Sequence, residues 1–179
     1  MATAVSTQDY DLLCKKLRDI SSLGEVSGLL GWDELTFMPS GSSDARAQQK
    51  SALAAVIHER QVDQHLGDLL NKLNASNTSS LDPYQQAVLR EATREYIKST
   101  AVTEDLVRRE AELDSRGYAA WVEARQAKDF SKFAPVLKEW LAARKERAAL
   151  IDPSKPAYDV LADDYSSGLT EARYEEIFG

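Results

Sequence analysis

Apolar side chains recur every three or four positions along most of this chain, which is the spacing of one face of an α-helix. The first stripe follows Thr7, the expected N-cap, and comprises Leu13, Leu17, Ile20 and Leu23. Gly24, Gly28 and Gly31 then interrupt the pattern. They allow either a bend or the close approach of another helix, and we favour close packing. The segment ends at Pro39-Ser40-Gly41.

A second apolar stripe predicts one long helix, which starts at Ser42 or Ser43. Its apolar residues are Leu53, Val56, Ile57, Leu66, Leu69, Leu70 and Leu73. Residues 74–80 are polar and rich in turn formers, so they separate this first pair of helices from the rest of the chain.

Capping residues predict the later helices. Asp82 is an N-cap, Pro83 suits the first helical position, and Gln85 completes a capping box. Thr103 and Ser131 are the expected caps of the next two helices. The predicted ranges are about 83–99, 103–128, 131–152 and 156–164, with a last helix from Thr170. Strand signals are absent, so we predict an all-α fold, a bundle of long antiparallel helices with short connecting turns.

Length and composition fit one domain. The 179 residues are enough to bury a core, and no linker divides them, so residues 1–179 are expected to form a single helical region. Hydrophobic residues make up 43% and charged residues 28%, the balance of a globular protein in water. The net charge of -7 argues against a protein that neutralises nucleic-acid phosphates.

The sequence indicates a cytoplasmic protein without a membrane partner. No apolar run approaches the roughly 20 residues of a transmembrane helix. Residues 1–7 lack the charged and apolar regions of a secretory signal. The single cysteine, Cys14, cannot form an internal disulfide and is expected to be a small buried apolar residue.

Three separated blocks carry distinctive patterns. The first is W-D-x-x-T-x-M-P from Trp32, followed by Arg46, and we interpret Asp33 and Arg46 as a charge pair between two helices. The second is W-x-x-A-R-x-x-x-D-F-x-x-F-x-P-x-L from Trp121, and the third is Y-D-x-L-x-D-x-Y-x-x-G from Tyr158.

In this order the blocks resemble the N-terminal part of the carboxypeptidase Taq family, the HExxH zinc metallocarboxypeptidases. The resemblance covers nearly the whole chain. It implies a mostly helical, dimeric, cytosolic enzyme that uses zinc or cobalt to release C-terminal residues from peptides. One departure is visible, because Ser166-Ser167 stands where the family usually carries Glu-Pro.

The second block also has a structural interpretation. Its aromatic residues can meet at a helix-turn-helix corner, where large rings fix the angle between helices. They are Trp121, Phe130, Phe133 and, further on, Trp140. We expect Asp129 to cap or anchor this corner and Arg125 to pair with it.

The two histidines do not predict a metal site. His58-Glu59 begins like HExxH, but position 62 is Val62 and the next histidine, His65, is seven positions on. On one helix that separation is about 10 Å, whereas two zinc-bound nitrogens lie at most about 4 Å apart. We expect His58 to be a packed or capped helix residue, and His65 with Asp68 would make only a weak, open site. No catalytic, cofactor-binding or metal residue is predicted in this chain.

The resemblance explains this lack, because the family's HExxH and its third, glutamate ligand lie downstream of the matched region. We therefore expect the chain to be the lid or groove wall of a longer carboxypeptidase and to be inactive alone. Its partners would be the missing C-terminal catalytic portion or a second copy, with peptides as substrates of the complete enzyme. The alternative is a stand-alone, non-catalytic interaction module, whose exposed apolar face would recruit a partner.

Overall fold

The computed structural model describes residues 4–39 and 41–179, which form eight α-helices. Residues 1–3, part of the segment inspected for a secretory signal, and Ser40 of the predicted helix stop lie outside the described residues. The helices are α1 Thr7–Thr36, α2 Ser43–Gln61, α3 Gln64–Ala75, α4 Pro83–Ala101, α5 Glu104–Ala127, α6 Ala134–Ile151, α7 Ala157–Ala162 and α8 Glu171–Phe178. Short 3₁₀ turns, Thr78–Ser80 and Phe130–Lys132, precede α4 and α6.

The predicted all-α class is confirmed. No strand occurs within the described ranges, and an isolated bridge joins the backbones of Ala4 and Asn77. None of the helices that the structure describes is long and apolar enough to cross a bilayer.

The first helix departs from the prediction in two ways. Its N-cap is Ser6 rather than Thr7, and the Ser6 hydroxyl accepts a hydrogen bond from the Asp9 amide. The expected close packing at Gly24, Gly28 and Gly31 is wrong, because a Cβ added at any of them would meet no described neighbour within 4 Å. α1 instead runs unbroken through all three positions, and its second half is largely exposed.

The predicted long second helix is wrong, because it breaks between α2 and α3. Val62 ends α2, and the Asp63 carboxylate caps α3 by accepting a hydrogen bond from the His65 amide at 3.0 Å. The same carboxylate lies 2.7 Å from the Lys16 ammonium of α1. A contact with a distant residue therefore helps to select the break, which no glycine or proline marks in the sequence.

The predicted caps of α4, α5 and α8 are confirmed, including the Asp82 capping box. The predicted Ser131 cap of α6 is wrong. Ser131 lies in the 3₁₀ turn, where its amide and hydroxyl both donate to Asp129, and α6 starts only at Ala134. The 3₁₀ turn forms because the Asp129 side chain caps Phe130–Lys132 by accepting a hydrogen bond from the Ser131 amide.

α2 packs antiparallel to α5 in the most extensive helix contact of the described fold. The buried positions of α2 are Ala47, Ser51, Ala55 and His58, at steps of four, four and three along one helix face. Three of these side chains are small, so the two helix backbones approach closely. α1 then packs against α2 and α3, and α6 packs against α5.

Two apolar clusters form the core. The first joins the start of α1 to α3 and α4 around Leu13, Leu66, Leu70, Leu73 and Leu89. The second joins α5 to α6 around Leu106, Leu113, Val136 and Ala143. Cys14 packs half-buried against the first cluster. Close approach through a glycine does occur there, but at Gly67, where a Cβ would collide with the Tyr96 hydroxyl.

We expect acid to destabilise the protein partly through Asp63. Its hydrogen bond to Lys16 lowers the pKa of the carboxyl from 3.8 to about 2. The ionised group therefore stabilises the fold fully above about pH 4, and this contribution is lost as the pH falls toward about 2. Asp63→Asn keeps an oxygen for the cap without the charge. Urea unfolding at about pH 6 and about pH 3 should show a smaller acid loss in this variant than in the native chain.

Asp68→Asn is the matched control, because it removes an exposed carboxylate from the same helix. This variant should lose as much free energy of unfolding in acid as the native chain does. Equal acid losses in Asp63→Asn and Asp68→Asn would contradict the stabilising role of the Lys16–Asp63 pair.

Candidate functional site

The first distinctive block lies where α1 turns back into α2. The predicted pair is confirmed, since the Arg46 guanidinium binds the Asp33 carboxylate at 2.5 Å. The same guanidinium donates to the backbone carbonyl of Leu30. One side chain of α2 thus holds both a side chain and the backbone of α1, which fixes the angle of the hairpin.

A second ion pair beside it was not predicted. Lys50 lies 3.0 Å from Glu34, and their side chains are only 14% and 5% exposed. The available signal was the spacing, because Arg46 and Lys50 stand four apart on α2, opposite the adjacent acids Asp33 and Glu34. Two neighbouring ion pairs therefore lock the hairpin, and one of them is largely buried.

Apolar side chains are exposed next to these charges. Trp32 meets Phe37 edge-on, with ring centroids 5.3 Å apart, and both rings face solvent. Leu29 and Leu35 are exposed on the same half of α1. The hairpin, which we define as residues 26–39 and 41–50, thus presents a partly apolar surface braced by two ion pairs.

The second block forms part of a cavity of about 320 Å³ between α5 and α6. Trp121, Phe133 and Trp140 meet there as expected. The Trp140 Nε1 donates to an Asp114 carboxylate oxygen at 3.0 Å. Phe130 does not line this cavity and contacts only the edge of the cluster, through Phe133 at a centroid distance of 6.2 Å.

The expected pairing of Arg125 with Asp129 is wrong. The Arg125 guanidinium lies over the Trp121 ring, 5.2 Å from its centroid, which is a cation–π contact. Asp129 instead accepts the hydroxyl and amide hydrogen bonds of Ser131, and these lower the pKa of its carboxyl. Asp129 anchors the corner as predicted, but through a local turn.

The two histidines have different environments. His58 is 6% exposed near Val102 and Glu104 at the start of α5, and burial lowers the pKa of its imidazole. The predicted packed histidine is thus confirmed. His65 lies on a different helix with its side chain 87% exposed, and its Nδ1 is 3.1 Å from Asp63. Asp68, its expected companion in a weak site, accepts a hydrogen bond from the Gln64 side-chain amide.

These residues do not fit a catalytic metal centre. One imidazole is buried between helices and the other is exposed on α3, so they do not converge. Across residues 4–39 and 41–179, no three or more His, Cys, Asp or Glu side chains are grouped so that they could hold an ion.

A buried acid on α5 was also missed by the sequence analysis. Glu110 is 7% exposed and lies 3.2 and 3.3 Å from Arg144 and Arg147 of α6. Burial raises the pKa of its carboxyl, and the two arginines oppose this shift. These two ion pairs join α5 to α6, and the Glu110 side chain between them is buried.

The third block forms a turn that is held against α4. Asp163 binds Arg94 at 2.6 Å and Lys98 at 2.9 Å, and it accepts the Gly168 amide. Hydrogen bonding to Lys98 and Gly168 holds the pKa of Asp163 well below its usual range. Within this turn, Gly168 follows Ser166 and Ser167 and adopts a positive φ of 80°, which glycine tolerates.

Comparisons with known proteins agree with the three blocks. The family model described as "Carboxypeptidase Taq (M32) metallopeptidase" matches residues 12–179. Thermostable carboxypeptidase 1 of Thermus thermophilus is 32% identical over 89% of this chain and 33% of its own length. Thermostable carboxypeptidase 1 of Pyrococcus furiosus is 29% identical over 91% of this chain and 32% of its own length. This chain spans about a third of the curated relatives that it matches.

Solved structures give the same extent. Metallocarboxypeptidase 1 of Trypanosoma cruzi is 30% identical, with a TM-score of 0.77 over 97% of this chain and 35% of that one. The structure designated BsuCP reaches a TM-score of 0.88 at 24% identity and supports the fold alone.

The buried pair of the hairpin gives a prediction for stability. Lys50→Met leaves the Glu34 carboxylate without its cation in a site that water hardly reaches, so we expect a loss of about 3 kcal/mol in the free energy of unfolding. Lys72→Met is the matched control, because Lys72 pairs with Asp9 at 2.7 Å but is 66% exposed.

The control should cost under about 1 kcal/mol, the range of exposed ion pairs. Chemical denaturation of both variants at neutral pH measures the difference. Equal losses in the two variants would show that the Glu34–Lys50 pair does not lock the hairpin.

Proposed function

This chain belongs to the carboxypeptidase Taq (M32) metallopeptidase family, and from that membership we propose that it forms one helical wall of the peptide-binding groove of a metal-dependent carboxypeptidase. The observation that carries the proposal is the length of the match, because nearly all of this chain corresponds to about a third of longer peptidases. Residues 1–179 are then one helical part of such an enzyme, and its substrates are peptides with a free C-terminus.

The hairpin of residues 26–39 and 41–50 supports the role of a wall. A wall must keep its shape while substrates enter and leave, and the Asp33–Arg46 and Glu34–Lys50 pairs hold the two helices at a fixed angle. A wall must also offer contacts to peptide side chains of varied chemistry. The exposed apolar residues of α1, among them Trp32 and Leu35, provide such a surface.

The proposal assigns no catalytic step to this chain. His58 is buried against α5 and His65 stands exposed on α3, so neither has the neighbours that a metal ligand needs. The zinc or cobalt of the complete enzyme would be bound by residues outside this chain. We therefore propose that the isolated chain does not hydrolyse peptides, and that the complete enzyme is a cytoplasmic dimer.

A second candidate is a non-catalytic interaction module derived from the peptidase. The observation in its favour is the number of large apolar side chains that face solvent, including Leu29, Leu35 and Phe37. The two candidates differ in what covers these residues: the remainder of a peptidase and its substrate in the first, an unrelated protein in the second.

A hydrolysis assay tests the proposed inactivity. The purified chain is incubated with peptides that have a free C-terminus, in zinc or cobalt, with the Thermus thermophilus enzyme as positive control. We expect no release of C-terminal residues above the blank, and calorimetric titration should detect no stoichiometric zinc binding. His65→Ala is the matched variant and should behave identically.

Hydrolysis that a chelator abolishes would overturn the proposed inactivity. Stoichiometric zinc binding that disappears in His65→Ala would show that this chain carries a metal site after all.

A further inference from the structure

Four aromatic side chains gather on α7, α8 and the turn between them, and we call them the aromatic patch. They are Tyr158, Tyr165, Tyr174 and Phe178. The Tyr174 ring meets Tyr158 edge-on at a centroid distance of 6.2 Å and stacks on Phe178 at 6.4 Å. Tyr165 and Phe178 are 89% and 81% exposed. Rings this exposed bury a large apolar area once a partner covers them.

α8 is a short helix that is largely exposed to solvent. It spans eight residues, none of which is buried. A helix this short is marginal by itself in water. Its main ties to the fold are the Glu171 amide, which donates to Asp159 at 2.7 Å, and the contact between Tyr158 and Tyr174. A partner that covered the patch would therefore also stabilise α8.

The turn that carries Tyr165 is anchored to α4. Arg94 and Lys98 of α4 hold Asp163, which directly follows α7. Tyr158 lies within α7, and Tyr165 follows Asp163 by two positions. The turn after α7 is thus anchored, whereas α8 is weakly held. A partner that binds both would order α8 against an anchored surface.

The rim of the patch is acidic. Glu171, Glu175 and Glu176 lie exposed on α8, and Arg173 pairs with Glu176. A complementary surface would combine an apolar groove with lysine or arginine at its edge.

α1 is a poorer docking surface. Its exposed residues Val26, Leu29, Trp32 and Leu35 are spaced three apart. Each step of three turns by about 300° around a helix, so these side chains spiral around α1 and do not form one face. The aromatic patch is the more concentrated surface.

We propose that the aromatic patch docks the rest of an M32 peptidase fold, the two-thirds by which the matched structures exceed this chain. The inference rests on the proposed function. In those structures 96–97% of this chain corresponds to only 34–35% of the polypeptide, so a large body of protein must contact this unit. Docking covers Tyr165 and Phe178 and orders α8.

The test is a chimera, in which this chain replaces the matching third of Thermus thermophilus thermostable carboxypeptidase 1. Hydroxyl-radical footprinting compares the chimera with the isolated chain. We expect Tyr165 and Phe178 to be oxidised several-fold less in the chimera. Phe130 is the internal control, since it is 66% exposed outside the patch and should be oxidised equally in both. Equal oxidation of Phe178 in both proteins would overturn the proposal.

A matched pair of substitutions gives a second measurement. Phe178→Ser should leave the Tm of the isolated chain nearly unchanged and lower that of the chimera by several degrees. Phe130→Ser should shift both proteins equally. If Phe178 is already protected in the isolated chain and becomes reactive on dilution, a second copy covers the patch and the proposal is wrong.

Peptide hydrolysis by the chimera separates this proposal from the proposed function. A protected patch in a folded chimera that cannot hydrolyse peptides would support docking and contradict the groove-wall role. An active chimera whose patch stays reactive would support the groove wall and overturn the docking surface.

Discussion

The packing of α2 on α5 is the constraint on which the rest of this fold depends. A stripe of short side chains, Ala47, Ser51 and Ala55, lets the two helices lie close together over their length. The remaining helices are added to this pair, with α1 on α2 and α6 on α5. Because a seam of small residues gains stability from close contact and not from side-chain volume, even one larger side chain there would separate the helices.

The exposed surfaces follow from that arrangement. Tyr10 and Leu13 near the start of α1 are buried with α3 and α4, and α1 continues past this cluster along α2. At the hairpin, two ion pairs hold α1 against α2. At the other end of the chain, Arg94 and Lys98 fix the turn before α8, while α8 itself packs against little. A unit built in this way leaves apolar side chains open at two places.

The sequence correctly predicted those features that residues close together along the chain determine. The Asp82 capping box and the Thr103 cap were found because their partners lie within three residues. The break at Asp63 was missed because Lys16, its stabilising partner, is 47 residues away. Glycine spacing suggested close packing on α1, yet a glycine only permits such contact and cannot show that a neighbour is present.

The ion pairs of the candidate site also include both predicted and missed contacts. Asp33–Arg46 was predicted from a motif, whereas the Glu34–Lys50 pair, although its spacing was available in the sequence, and the Glu110 cluster were missed. We infer that this chain folds around the pair of α2 and α5. Native-state hydrogen exchange of the isolated chain tests that claim most directly. The slowest amides should lie between Ala47 and His58 and in the facing part of α5, and they should exchange with the free energy of global unfolding. Exchange of these amides as fast as that of the α8 amides would contradict the inference that the chain folds around α2 and α5.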